Sequence, residues 1–324
     1  MSGADVILEI KGLKTHFFTR RGVVKAVDGV DFSLRRGEVM GLVGESGAGK
    51  SITGFSILRL IDEPGRIVDG EVIFEGRDLL TVPEAEMRRL RGDRLAMVFQ
   101  DPQTSLDPVF TVGSQIVESL VFHQSLSPSQ AGSRAAELLR AVGIPDAEKR
   151  LAAYPHQFSG GMRQRVVVAI AMAQNPALLV ADEPTTALDV TIQAQVLTLM
   201  RRLVRNHGTA MILITHNMAL VGQFCDSIAV MYAGQLIEHG TKEKVIRDPQ
   251  HPYTQGLIRS IPGRQERCRR LDQIPGMMPN LIDLPPGCPF RPRCPSAGGD
   301  CVQRPLLRPV GLDHQAACWR RNRP

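Results

Sequence analysis

No part of this 324-residue chain stays apolar for long: the longest unbroken run, Val166 to Ala173, is eight residues, against the roughly 20 that a helix needs to cross a bilayer. The chain is not expected to span a membrane by itself. Its first sixteen residues carry Asp5, Glu9, Lys11 and Lys14 and lack an apolar segment, so nothing there reads as a secretory signal and a cytosolic location is expected. Repeats at solenoid period are missing, as are low-complexity tracts apart from a proline-enriched tail. With 43% apolar and 22% charged residues, the composition lies near globular averages, which excludes wholesale disorder, collagen-like chains and coiled coils. The length suits about two domains of roughly 150 residues each, or one large α/β domain with an appendage.

The net charge of +6 raises nucleic-acid binding as a function until the charge is located. Residues 264–323 hold eleven Arg and five acidic residues, whereas residues 1–262 balance at 28 of each sign. Residues 262–324 carry eleven of the 22 prolines and five of the six cysteines. A differently built unit is therefore expected from near residue 250.

Residues 37–52 read GEVMGLVGESGAGKSI: an apolar run from Val39 to Val43, a glycine-rich turn, then a helical pattern through Ile57, Leu58, Leu60 and Ile61. This is strand, loop and helix. Alternating strands are expected at Val6 to Ile10 and Gly70 to Phe74, and fully apolar ones at Leu178 to Ala181 and Met211 to Thr215. Together they predict a mainly parallel α/β sheet. Between residues 113 and 175 the pattern turns helical, for example from Ala131 to Val142 with Gly143 and Pro145 as the stop, which marks a helical insertion.

Gly44-Glu45-Ser46-Gly47-Ala48-Gly49-Lys50-Ser51 fits G-x-x-x-x-G-K-[ST], the phosphate-binding P-loop, and stands between a buried strand and a helix start as that function requires. Glycines let successive N–H groups point at phosphate oxygens, and the positive end of the helix dipole adds to their field. Lys50 would reach the β- and γ-phosphates and the Ser51 hydroxyl would ligate Mg²⁺. Nucleotide binding follows.

Four further features narrow the chemistry. Leu178 to Ala181 runs into Asp182 and Glu183, placing two carboxylates at a strand's C-terminal end. Asp182 can hold the Mg²⁺ shell and Glu183 can polarise the water that attacks the γ-phosphate. Ser159-Gly160-Gly161 opens a second helix N-terminus suited to an anion. Gln100 ends the apolar run from Leu95 to Phe99, and His216 ends that from Met211 to Thr215.

In that order the motifs resemble the nucleotide-binding subunit of an ABC transporter. The resemblance covers residues 6 to about 245 and assigns Gly44 to Ser51 as Walker A and Gln100 as the Q-loop. Ser159 to Gln164 become the signature, Asp182 and Glu183 Walker B, Ala187-Leu188-Asp189 the D-loop, and His216 the switch histidine. It implies a RecA-like P-loop NTPase core over residues 1–100 and 177–248 with an antiparallel β subdomain. A helical subdomain carrying the signature would be inserted at 101–176, and an irregular Cys-rich extension would follow at 249–324. It also implies head-to-tail pairing, each ATP lying between the P-loop of one subunit and the signature helix of the other. Glu183, His216 and Gln100 would then be catalytic, with Ser51, Gln100 and Asp182 around Mg²⁺. ATP contacts would come from the P-loop and from Ser159, Gly160, Gly161 and Asp189. Phe17 and Phe18 are the candidates for stacking on adenine.

Gln100-Asp-Pro-Gln-Thr-Ser-Leu-Asp-Pro108, Gly160-Gly-Met-Arg-Gln164 and His251-Pro-Tyr-Thr254 followed by Leu257 resemble the ATPases of oligopeptide and dipeptide importers, whose relatives also carry nickel and glutathione. Met162, where many ABC proteins have Gln, is typical of one of the two ATPases in such importers. The implied partners are therefore a non-identical second ATPase, two transmembrane permease subunits and an extracytoplasmic binding protein, with no nucleic acid. The implied location is the cytoplasmic face of the membrane. Two rival readings are a soluble ABC-type ATPase acting on DNA or ribosomes, and a redox or metal sensor in which ATP only stabilises the fold. The sequence shows neither the coiled-coil insertion nor the second cassette expected of the first.

Cys288, Cys294, Cys301 and Cys318 lie in a loop-rich, Pro- and Arg-rich segment. A cytosolic location disfavours disulfides, and the spacing is not that of a zinc ribbon, so zinc, an iron–sulfur cluster and no ligand all stay open. The likeness to peptide-importer ATPases implies a [4Fe–4S] cluster, with Zn²⁺ as the alternative. Arg291 and Arg293 would offset thiolate charge, while Cys225 and Cys268 are expected to pack as small hydrophobes.

Overall fold

A computed structural model of the chain describes residues 5–186, 188–261 and 273–320. Its strands in chain order are β1 (Val6–Thr19), β2 (Gly22–Arg35), β3 (Val39–Val43), β4 (Gly65–Phe74), β5 (Arg77–Asp78) and β6 (Leu95–Val98). There follow β7 (Leu178–Asp182), β8 (Ala210–Thr215), β9 (Ser227–Tyr232), β10 (Gln235–Thr241), β11 (Arg308–Gly311) and β12 (His314–Ala316). The helices are α1 (Lys50–Ile57), α2 (Glu84–Asp93), α3 (Pro102–Ser105), α4 (Val112–Gln124), α5 (Pro128–Ala141) and α6 (Ala147–Arg150). The last five are α7 (Gly160–Ala171), α8 (Val190–His207), α9 (Met218–Phe224), α10 (Lys242–Arg247) and α11 (Pro252–Arg259). Two compact units emerge: residues 1–34, 38–80 and 213–324 form the first, residues 35–37 and 81–212 the second.

The first unit holds an antiparallel sheet ordered β2-β1-β4-β5, in which Leu8 lies opposite Phe74 and Ile10 opposite Val72. This is the antiparallel sheet that the family likeness implied; what it corrects is the grouping of Val6 to Ile10 and Gly70 to Phe74 with the parallel strands, since the two pair with each other instead. The reason is visible in their exposure. Both strands mix buried with exposed positions along their length, as antiparallel strands with a solvated face do, whereas parallel strands are buried on both faces. By contrast β3 is buried throughout and pairs in parallel with β9, Gly41 facing Ile228 and Val43 facing Val230. A Cβ on Gly41 would lie 2.2 Å from a methyl of Val221 on α9, so the bare backbone there lets α9 pack against the strand.

The tail contributes regular structure as well as loops. β12 pairs antiparallel with β10, Glu238 opposite Ala316, and β11 pairs with β12, so the extension expected to be irregular also carries two strands. Glu238 is fully buried and completely engaged. Its carboxylate accepts the N–H of Gln250 at 2.7 Å and of His251 at 2.8 Å, and its third partner is His314 Nε2 at 2.8 Å. A buried carboxylate is tolerated only with such a full set of partners, and these fasten both the approach to α11 and strand β12 to β10.

In the second unit β6 and β7 are parallel, Leu95 beside Leu178 and Val98 beside Ala181. Helices α2 to α8 supply the rest, among them the expected helical stretch from 113 to 175. α5 begins before the predicted Ala131, because Ser127 and Gln130 form a reciprocal capping box with Pro128 in the first turn. The apolar run from Val166 falls on α7, and Gly208 ends α8 in the left-handed conformation.

Glu238→Ala would strand two amide donors and the His314 imidazole, a loss of about 3 kcal/mol. A clear fall in the melting temperature is expected by calorimetry on the full chain, and an unchanged melt would overturn this account of how the tail is fastened.

Candidate functional site

The P-loop lies in the first unit between β3 and α1, and its shape depends on glycine. Gly49 has φ +101°, and a Cβ there would sit 2.2 Å from the Ala26 carbonyl oxygen. Only glycine meets both conditions. As N-cap of α1, Gly49 brings no side chain to satisfy the first N–H groups, and the first turn of the helix holds no acidic residue. The helix start is thereby left suited to an outside anion. Lys50 is buried and its ammonium donates to the carbonyl oxygens of Gly44 and Glu45, each at 2.9 Å. The cation thus rests on the loop that a phosphate would enter.

Glu45 is held from further directions. Its N–H donates to the Tyr253 hydroxyl at 2.8 Å. Its carboxylate accepts two bonds from the Arg293 guanidinium, at 2.7 and 3.0 Å. Burial holds the Tyr253 hydroxyl well above its ordinary pKa, so it remains a neutral partner. Sequence reasoning set Arg293 beside cysteine thiolates; its charge is in fact matched by Glu45. The tell-tale was the acidic residue inside the glycine loop, whose partner is 248 residues away and so invisible to any local pattern.

His216 stands exposed just after β8, where Asn217 caps α9 by accepting from the N–H of Ala219 at 3.0 Å. Phe17 is half-buried and opposite Gly65 in the sheet. Phe18 keeps 46% of its surface exposed, with the Arg66 guanidinium 5.7 Å from its ring centre.

In the second unit β7 delivers buried Asp182 and, at φ +44°, half-buried Glu183. The Glu183 carboxylate accepts from the Thr186 hydroxyl at 2.8 Å and from Gln100 Nε2 at 3.3 Å. Gln100 and Glu183, separated by 83 residues, are thus brought into direct hydrogen-bond contact. Thr186 escaped sequence reasoning, although a hydroxyl three residues after the carboxylate is within reach of a turn. Ser159 caps α7, accepting from the Met162 N–H at 3.3 Å, and Asp189 caps α8, accepting from the Ile192 N–H at 3.0 Å. A Cβ on Gly161 would lie 2.8 Å from Ile192, so the second glycine after Ser159 lets α7 begin close against α8. Ala187 lies outside the described residues.

Cys288, Cys294, Cys301 and Cys318 line one narrow cavity together with Phe290 and Trp319, and no disulfide joins them. Burial pushes the Cys288 thiol up to about 11 and raises that of Cys294 too. Among the described residues, no group of three or more His, Cys, Asp or Glu is arranged as a metal site. Four thiols around one cavity nonetheless have the donor chemistry of a thiolate cluster. Cys225 is buried in the core as expected, and Cys268 lies outside the described residues.

The profile described as ABC transporter matches residues 27–186, and that described as oligopeptide/dipeptide transporter, C-terminal region, matches residues 237–301. The chain is 49% identical over 322 residues to the probable peptide ABC transporter ATP-binding protein y4tR of Sinorhizobium fredii, covering 98% of this chain and 96% of that protein. It is 46% identical over 317 residues to the oligopeptide transport ATP-binding protein OppD of Escherichia coli, covering 98% and 94%. The chain belongs to the oligopeptide and dipeptide family of ABC transporter ATP-binding proteins. It is an ABC ATPase, and its mixed α/β cassette with an antiparallel sheet is the family fold. Among solved structures it resembles the dimeric post-hydrolysis state of the ATP-binding cassette MJ0796 bound to ADP and Pi. That likeness has a TM-score of 0.65 and 25% identity over 73% of this chain and 99% of that one.

For an ABC ATPase whose P-loop turns on Gly49, Gly49→Ala is expected to weaken Mg·ATP binding about tenfold or more, a loss of about 1.4 kcal/mol. Titration calorimetry on the full chain checks this, with circular dichroism to establish folding. A folded variant with unchanged affinity would overturn the role given to that glycine.

Proposed function

We propose that this chain hydrolyses ATP to drive uptake of di- and oligopeptides through an ABC importer. The geometric observation that carries the hydrolytic part is Glu183, a strand-end carboxylate oriented by both Gln100 and Thr186. The peptide part is supported by relatives named for peptide transport that match nearly end to end. A carboxylate held in one orientation is what a water needs if it is to be polarised for in-line attack on a γ-phosphate.

Glu183 takes the proton from water as oxygen bonds to the γ-phosphorus, and the bond to the β-phosphate oxygen breaks, leaving ADP and phosphate. Lys50 leaves the carbonyls of Gly44 and Glu45 for the β- and γ-phosphates. The N–H groups of Ser46 to Ser51 surround the phosphate oxygens, and His216 steadies the γ-phosphate as charge builds. Ser51, Asp182 and Gln100 would hold Mg²⁺, which supplies charge neutralisation at the phosphates. Ser159, Gly160, Gly161 and Asp189 serve the nucleotide of a facing ATPase, so ATP joins the two and its hydrolysis lets them part.

The facing subunit in this reading is a second, non-identical ATPase. Both dock on two permease subunits fed by an extracytoplasmic binding protein, with no nucleic acid involved. This reading places the chain peripherally on the cytoplasmic face; among the described residues no helix is long and apolar enough to cross a membrane. In functional terms residues 1–100 and 177–248 bind ATP, residues 101–176 present the signature, and residues 249–324 form the importer-type extension. Cys288, Cys294, Cys301 and Cys318 would hold a [4Fe–4S] cluster, with Zn²⁺ as the alternative; the shared cavity supports this.

In the assembled transporter, Glu183→Gln is expected to lower turnover at least 100-fold, the usual worth of a general base. ATP should stay bound and the ATPase pair should persist in gel filtration; undiminished turnover would overturn the assignment. Anaerobically purified protein is expected to carry iron and acid-labile sulfide in equal amounts. Zinc without sulfide would favour the alternative, and neither would remove the cluster from the reading.

A further inference from the structure

The P-loop's second residue is gripped through all three of its polar groups, and two of the three grips come from the C-terminal quarter of the chain. Tyr253, in the first turn of α11, takes the Glu45 N–H at 2.8 Å, while Lys50 takes the Glu45 carbonyl at 2.9 Å. Arg293, in a 3-10 turn immediately before Cys294, takes the Glu45 carboxylate with both terminal nitrogens, at 2.7 and 3.0 Å.

Arg293 is itself fixed. Its side chain is only 6% exposed, its Nε donates to the Pro275 carbonyl at 2.8 Å, and its Nη1 also reaches the Tyr232 hydroxyl at 3.3 Å. The guanidinium lies 5.8 Å from the Tyr232 ring centre and 5.9 Å from that of Phe290. The same tail comes close to the loop again at Gly47, where a Cβ would lie 2.8 Å from the Met278 methyl.

We infer that Arg293, carried on the cysteine-bearing extension, is a positioning residue of the ATP site that holds and neutralises Glu45 so that the P-loop can accept a polyphosphate. This rests on the P-loop reading under the proposed function. Glu45 puts a carboxylate on the same loop that must receive the most negatively charged part of the nucleotide, and like charges at close range repel strongly where water is scarce. A bidentate guanidinium both cancels that charge and fixes its direction. Removing the arginine would leave the carboxylate unpaired and turned loose beside the phosphates.

The test is a charge cycle on the full chain. Mg·ATP affinity is measured by titration calorimetry for the native protein, Arg293→Ala, Glu45→Gln and the double variant, and the KM and kcat of ATP hydrolysis are measured for each in the assembled transporter. Arg293→Ala is expected to raise the Kd and KM for ATP about tenfold with kcat nearly unchanged, and adding Glu45→Gln is expected to restore most of the affinity. A purely structural role would lower the active fraction, and so kcat, at constant KM. An unchanged KM in Arg293→Ala, or no recovery in the double variant, would overturn the inference. Lys50→Ala separates the two levels. If it binds ATP as the native chain does, the P-loop reading itself fails; if it alone loses binding while Arg293→Ala does not, only the role of Arg293 fails.

Discussion

A polyphosphate can be cradled by backbone N–H groups only where the chain curls back on itself, and that curl is the constraint from which the rest of this structure follows. It demands glycine at Gly49, where both the positive φ and the nearby Ala26 carbonyl forbid a side chain. It demands a buried strand, β3, to enter from and a helix start without acidic side chains to lead into. The curl also exposes carbonyl oxygens, and Lys50 covers two of them. The loop therefore carries its own counter-charge, already close to where phosphate oxygens would take over from carbonyl oxygens.

How far the sequence revealed this depends on the range of each interaction. The strand–loop–helix around Gly44 to Ser51 was legible because every requirement falls within a few neighbouring positions. Strand β3 came out at the predicted Val39 to Val43, since a continuous apolar run can satisfy itself only when buried on both faces. The pairing partners of Val6 to Ile10 and Gly70 to Phe74 were not legible. Alternation tells which face is wet but not which strand lies alongside. The start of α5 was displaced for a related reason: a capping box at Ser127 and Gln130 begins a helix before its apolar face becomes visible.

The site shows the same division. Asp182, Glu183, Gln100, Ser159 and His216 each announced themselves at the end of an apolar run or the opening of a helix. The family likeness implied catalytic roles for both Gln100 and Glu183, but the hydrogen bond between them across 83 residues was foreseen by neither the likeness nor the residues. Thr186, which also orients Glu183, had no motif to carry it. Capping explains part of what was visible. Ser159 and Asp189 are N-caps of α7 and α8, so their residue types serve the helices whatever they add to nucleotide binding.

The charge of the tail finds its meaning at the same level. Read along the sequence, an arginine-rich segment resembles a binding surface for an anionic polymer. In the fold, two of its arginines pair with acidic residues of the first unit, Arg293 buried and Arg304 at the surface. Arg304 donates to the Asp28 carboxylate at 2.9 Å, and Arg293 closes on Glu45. Such pairs give modest net stability once desolvation is counted, but they are directional, and a fork of two parallel bonds fixes orientation as well as distance. With the buried Glu238 holding the chain at Gln250, His251 and His314, the extension is tied to the cassette at sites that apolar contact alone would leave free to slide. That orientation matters most at Glu45, where an acidic side chain in a phosphate cradle is compatible with the cradle's chemistry only while something holds it to one side.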